Sequence, residues 1–266
     1  MKTRRILFQL IRFSILGLCV TLLFSCKTKE IISNGGEPEI INMDVNRSYY
    51  FIDERDGKQY RAIKIGDQWW MAENLNTGIF VESVYNDDIS HSDVSDNGII
   101  EKYCLENNEL NCDTYGGLYD WDEMMDYGPS DTAIVETTQG ICPDGWHIPT
   151  DKEWSVLANS LGGEEFAGGK LKETDTIHWS SPNIGATNES GFTALPGEGR
   201  SNQGAIYTYG GQFTVFWTAT IFTEPLSSNF PTNNRAYTRR LNHDLYMLII
   251  RPYDSKCGFS VRCVRD

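Results

Sequence analysis

Apolar residues along this chain come in short runs separated by glycine, asparagine and aspartate, and no long helical stripe is present. One stretch carries a clear helical period. Trp154, Leu157, Ala158 and Leu161 fall at i, i+3, i+4 and i+7, which is one face of a helix. Thr150 precedes that face as an N-cap, and Glu153 completes a Thr-x-x-Glu capping box. Asp151 and Glu153 set negative charge at the positive end of the helix dipole. Gly162-Gly163 supplies the stop.

Elsewhere the period is two. Tyr49–Ile52, Tyr60–Ile65 and Gln68–Ala72 read as strands, with turns at Asp56-Gly57 and Gly66-Asp67. Phe213–Thr220, Ala236–Leu241, Tyr246–Arg251 and Gly258–Arg265 are further strands rich in β-formers. Thr187–Gly197 reads as a loop turning into a short buried strand and out again. Tyr115–Met125 predicts a turn entering a short helix, with Leu118, Trp121, Met124 and Met125 buried. Asp120, Asp122, Glu123 and Asp126 would form its solvated face. Residues 82–101 are polar and acidic and read as a surface loop. Short strands with few helices predict an α+β fold with small twisted antiparallel sheets, about two short helices and long loops.

The first 25 residues stand apart. Lys2, Arg4, Arg5 and Arg12 precede an apolar run from Phe13 to Phe24, too short for a comfortable membrane span, so residues 1–25 read as a signal peptide. The run ends Leu23-Phe24-Ser25-Cys26, which resembles a bacterial lipobox. That resemblance implies cleavage before Cys26 and a lipid on its sulfur, so the membrane is an expected partner. Lys27 favours delivery to the outer membrane, facing the periplasm or the cell surface. Residues 26–46 read as a flexible tether and residues 47–266 as the folded domain.

Composition narrows the partners. The chain has 23 Lys and Arg against 37 Asp and Glu, a net of −14. Without the four basic residues of the leader the balance is 19 against 37, a net of −18. Nucleic acid is therefore not an expected partner, because it requires a basic footprint. Acidic polysaccharides are disfavoured for the same reason. A neutral glycan or a cell-surface protein remains compatible.

Several stretches together resemble the Fibrobacter succinogenes major paralogous domain family of bacterial lipoproteins and surface proteins. They are Ile65–Leu75, Tyr115–Trp121, Cys142–Trp154, Gly168–Lys172, Asn188–Gly197, Phe216–Thr220 and Ser260–Arg265. The resemblance spans about residues 47–266 in order and implies a C-type lectin-like fold. It brings no catalytic residues, so a non-catalytic binding, adhesion or structural role is expected. Calcium-dependent lectins carry Glu-Pro-Asn or Gln-Pro-Asp and then Trp-Asn-Asp, and neither occurs in a matching place. No metal site and no cofactor is therefore expected, and calcium has no motif to support it.

Five cysteines follow Cys26. The spacing of Cys104 and Cys112 suits a local disulfide in an exported protein. Cys142 paired with Cys263 would tie the start of the helix to the last strand. Cys257 is left over and reads as a stray or buried thiol, the alternative being a thiol whose pKa the neighbouring Lys256 lowers. A second resemblance competes. Ile148–Trp154 looks like the Leu-Pro-Thr-x-x-Glu-Trp element of formylglycine-generating enzymes, which implies an oxidase with Cys257 and Cys263 as its copper-binding pair. The four histidines, His91, His147, His178 and His243, fall in no metal or nucleophile motif. Trp179, Tyr207, Tyr209 and Trp217 are the candidates for stacking on a sugar ring.

Overall fold

Two tight turns build the first sheet. Gly57 at φ +73° closes the turn after Ser48–Ile52, and Gly66 at φ +60° closes the next one. Both angles are left-handed, and glycine reaches them without steric cost. The computed structural model describes residues 43–44, 47–87, 93–128, 138–223 and 234–266. The expected leader, Cys26 and His91 lie outside these residues, as does the tether up to residue 42.

In chain order the first strands are Met43–Asp44 (β1), Ser48–Ile52 (β2), Gln59–Ile65 (β3), Gln68–Met71 (β4), Ile79–Phe80 (β5) and Glu101–Lys102 (β6). A 3-10 turn at Leu105–Asn107 leads into helix Glu109–Tyr115 (α1), strand Leu118–Tyr119 (β7) and helix Trp121–Met124 (α2). Then come strand Trp146–His147 (β8) and helices Asp151–Ser160 (α3) and Glu164–Leu171 (α4). The last strands are Phe213–Ile221 (β9), Arg235–Asn242 (β10), Ile249–Asp254 (β11), Phe259–Ser260 (β12) and Val264–Arg265 (β13). Six strands form one sheet in the order β1-β2-β3-β4-β13-β8, and five form another in the order β11-β10-β9-β12-β7. β5 and β6 pair by themselves in parallel. This is an α+β fold. All described residues fall within one compact unit, Pro38–Asp266. Met43 pairs with Tyr49, so strand pairing begins inside the segment expected to be tether.

Alternation along the strands serves two apolar clusters. Tyr60, Ala62 and Met71 join Phe51, Trp146, Val215, Trp217 and Phe259 in one. Ile63, Ile65 and Trp70 join Trp154, Leu157, Ala167, Phe192 and Phe216 in the other. Each large side chain so buried stabilises the fold by roughly 1.5–3 kcal/mol. α3 follows the sequence reading closely. Thr150 Oγ1 accepts the Glu153 N–H, Glu153 accepts the Thr150 N–H in return, and Trp154, Leu157 and Ala158 are buried.

Several expectations are corrected. α4 was not expected, and it contains Gly168 and Gly169. A Cβ on Gly168 would run into the Met247 carbonyl, and one on Gly169 into the Gly185 carbonyl, so tertiary approach selects glycine there over helix propensity. The same approach takes Tyr246 and Met247 out of the expected strand: the Gly169 N–H donates to the Tyr246 carbonyl, and β11 begins at Ile249. The closing strand is two short strands, because Arg262 between them turns inward to the carbonyls of Met71, Phe192 and Thr193. The stretch Thr187–Gly197 forms only an isolated bridge between Ala194 and Lys172.

Leu118 lies in β7 and not in a helix, and α1 was not expected. Asp120 and Glu123 are buried, not solvated: Asp120 caps α2 by accepting the Glu123 N–H, and Glu123 accepts the Glu101 N–H. The acidic stretch after residue 82 is anchored as well. Val94 is buried, and Asp93 forms an ion pair with buried Arg200 at 2.8 Å.

Candidate functional site

A cleft of about 330 Å³ opens where the residues 207–212 loop meets β9, β10, β11 and β12. Pairing register explains its lining. Asn242 lies opposite Phe213, so Arg240, two residues back on β10, shares the face of Phe213. Tyr253 lies opposite Ala236 on the neighbouring strand and belongs to that same face. The strands therefore deliver Phe213, Arg240 and Tyr253 to one wall, and Phe259 from β12 joins them. The loop adds Tyr207, Tyr209 and Gln212. Clefts of roughly 300–1,000 Å³ with aromatic walls and a few polar groups are the usual form of a small-ligand site.

The loop is held by one buried acid. Glu198 is 1% exposed, and its carboxylate accepts the backbone N–H groups of Tyr209 at 2.6 Å, Gly211 at 2.8 Å and Gln212 at 3.3 Å. Tyr209 is thereby presented with about half its surface free, at 54% exposure. Tyr207 stacks beside it, with ring centroids 5.8 Å apart and planes at 23°. Burial, followed by the nearby Cys257, Tyr253 and Tyr209, pushes the Tyr207 hydroxyl up to about 12, so the ring stays neutral. Arg240 lies over the Phe213 ring at 4.1 Å. Its Nε donates to Asn242 Oδ1 at 2.7 Å and its Nη1 to the Tyr253 hydroxyl at 3.1 Å.

The other two stacking candidates are elsewhere. Trp179 and Trp217 are each 1% exposed. Their indole N–H groups donate to the carbonyls of Ala194 and Tyr119, so both rings belong to the interior. Arg240, Gln212 and Tyr253 were not singled out in the sequence. Arg240 alternates with Thr238 and Asn242 along β10, so the local pattern reads as a solvated edge, and only the pairing with Phe213 and Val215 brings apolar neighbours to it.

A second cavity of about 360 Å³ is lined by Lys58, Arg61, Glu73 and Arg262 among others. Several of its charges are already engaged: the Arg61 N–H donates to Glu73, the Arg61 guanidinium to the Gly191 carbonyl, and Arg262 to Asn74. It offers less to an incoming ligand than the aromatic cleft does.

Both cysteine pairs are joined as disulfides, Cys104–Cys112 and Cys142–Cys263. Cys263 is therefore not free to form a copper pair with Cys257. Cys257 is a buried thiol, and burial together with the Asp254 charge pushes it up to about 12. Lys256 does not activate it. Its ammonium pairs with Asp122 at 2.9 Å. His147 lies between Glu153 and Asp266, and His178 pairs with Glu173. Among the described residues, no group of three or more His, Cys, Asp or Glu side chains is placed to hold a metal ion. No helix among them is long and apolar enough to cross a membrane.

No curated protein and no solved structure matches the chain. Residues 63–265 do match one family model, and the matched span runs from β3 through β13 and includes every residue of the aromatic cleft. The chain belongs to the Fibrobacter succinogenes major domain family.

Proposed function

We propose that this is a lipid-anchored cell-surface protein of the outer membrane, with a non-catalytic role in binding a neutral glycan. The anchor is the lipid on Cys26, and a C-type lectin-like architecture suits the small sheets, paired disulfides and long loops. The observation that carries the binding role is the presentation of Tyr209. A buried carboxylate spends its hydrogen bonds on holding this ring outward beside Tyr207. An exposed, rigid aromatic face with polar groups at its edge is the chemistry that stacks on a pyranose ring. The net charge of −14 disfavours dense polyanions and leaves a neutral chain as the natural occupant.

A screen of oligosaccharides and insoluble polysaccharides against the full chain, with and without calcium, tests this. Saturable binding that weakens roughly fivefold in Tyr209→Ala is expected, since stacking on one aromatic is worth on the order of 1 kcal/mol. No binding across the panel removes the glycan and leaves a cell-surface protein as the partner. Loss of binding with chelator would require a metal site absent from the described residues. Cys26→Ala should release the protein from membranes.

A further inference from the structure

We propose that Arg240 reads a carboxylate, so that the cleft takes a largely neutral glycan carrying an isolated hexuronic acid. The inference rests on the glycan reading of the Tyr207–Tyr209 cleft and sharpens it. The buried arginines of this domain are fully engaged: Arg200 pairs with Asp93 at 2.8 Å and Arg239 with Asp151 at 2.5 Å, while Arg262, which has no acid partner among the described residues, donates from all three nitrogens to Asn74 and to the carbonyls of Met71, Phe192 and Thr193. Arg240 differs. Among the described residues its hydrogen bonds go to two neutral oxygens, Asn242 Oδ1 and the Tyr253 hydroxyl. Its guanidinium plane is fixed on the Phe213 ring. The half-buried fork is therefore oriented on three sides, and among the described residues no acid pairs with it and its Nη2 edge makes no hydrogen bond. A planar fork held in this way is a receptor for a carboxylate.

The rings place that charge within reach of a stacked sugar. Tyr209 and Phe213 are 5.9 Å apart, and Arg240 lies directly on Phe213. A pyranose on Tyr209 has the guanidinium at its edge, where the carboxylate of a hexuronic acid projects from the ring. The acidic surface does not veto a single such group. At physiological salt, charges beyond about 8 Å are largely screened, and the one acid beneath the loop, Glu198, is buried and already committed to three backbone N–H groups. A polyuronate, whose other charges meet the acidic surface, gains no such advantage.

The test compares ligands on the unaltered protein. The full chain, purified in detergent, is titrated with a panel of neutral oligosaccharides, the same chains bearing one glucuronic acid, and the methyl esters of those acids. Binding of the acid should be roughly tenfold to a hundredfold tighter than of its ester, the range for a hydrogen bond to a charged group. Arg240→Gln should abolish that preference, with thermal unfolding run alongside to confirm the fold. Equal affinity for acid and ester overturns the carboxylate inference and leaves the glycan reading standing. No binding to any member of the panel overturns both.

Discussion

The Lys172 ammonium donates to the backbone carbonyl of Asn242 at 2.9 Å, while the side chain of the same asparagine orients Arg240 in the cleft. Lys172 is fully buried, and it also serves the carbonyls of Ile184 and Leu245 at 2.9 Å each. Burial pulls its pKa down to about 8. One cation thus ties the loop at Ile184 to the turn Asn242–Leu245 behind the candidate site. Lys172→Met preserves most of the volume but strands three carbonyls. The expected cost is about 2–4 kcal/mol, read as a lower urea midpoint. An unchanged midpoint would mean that water can replace the ammonium.

His147 gives the domain a pH window. Burial alone would lower its pKa, but hydrogen bonds and charge from Glu153 and Asp266 outweigh burial and raise it above 6.5. For Glu153, burial is outweighed by the bonds from His147 and Thr150, and its pKa falls below 4.5. The histidine contribution is full below 6.5 and is lost as pH rises through the raised value. The Glu153 contribution is full above 4.5 and is lost as pH falls through the lowered one. The cluster should therefore stabilise most between these two values. Denaturation at about pH 5.5 and about pH 8.5 should show a larger gap between native protein and His147→Gln at the lower pH.

How much of this was visible in the sequence depends on how local the cause is. The α3 start was legible because Thr150 and Glu153 complete each other within one turn. The β2–β4 meander was legible because Gly57 and Gly66 mark its reversals. α4 was not, because Gly168 and Gly169 answer to carbonyls at residues 247 and 185, far along the chain. Tyr207 and Tyr209, two of the four aromatics considered for stacking, line the aromatic cleft. Trp217 was misplaced although Phe213, Val215 and Trp217 alternate in one apolar row, a pattern that marks an inward face. Arg240 needed the strand register, which no local pattern records.

Cys257 should behave as an inert thiol. Its high pKa keeps the thiolate scarce at neutral pH, and its 6% exposure blocks reagents. A chromogenic thiol reagent should leave Cys257 unmodified in the native protein and modify it in denaturant, with Cys257→Ser as the reference. Rapid native labelling would reopen a redox role.

The two disulfides should differ in worth. Cys142–Cys263 spans 121 residues and Cys104–Cys112 spans 8. Loop-closure entropy assigns about 5 kcal/mol to the first and about 2.5 kcal/mol to the second. Replacing each pair by serines and comparing urea midpoints should reproduce that order. A reversed order would mean that the short loop is structured even when unfolded.

The order β1-β2-β3-β4-β13-β8 also sets a timetable. Four neighbours are made in sequence, and the place beside them stays vacant until Val264–Arg265 arrives, the span that links Trp70 on β4 to His147 on β8. During synthesis, β4 carries an open edge next to the tryptophan pair Trp69-Trp70, and an unpaired apolar edge recruits other chains. The domain closes like an arch around its last stone, and until then a chaperone has this edge to cover.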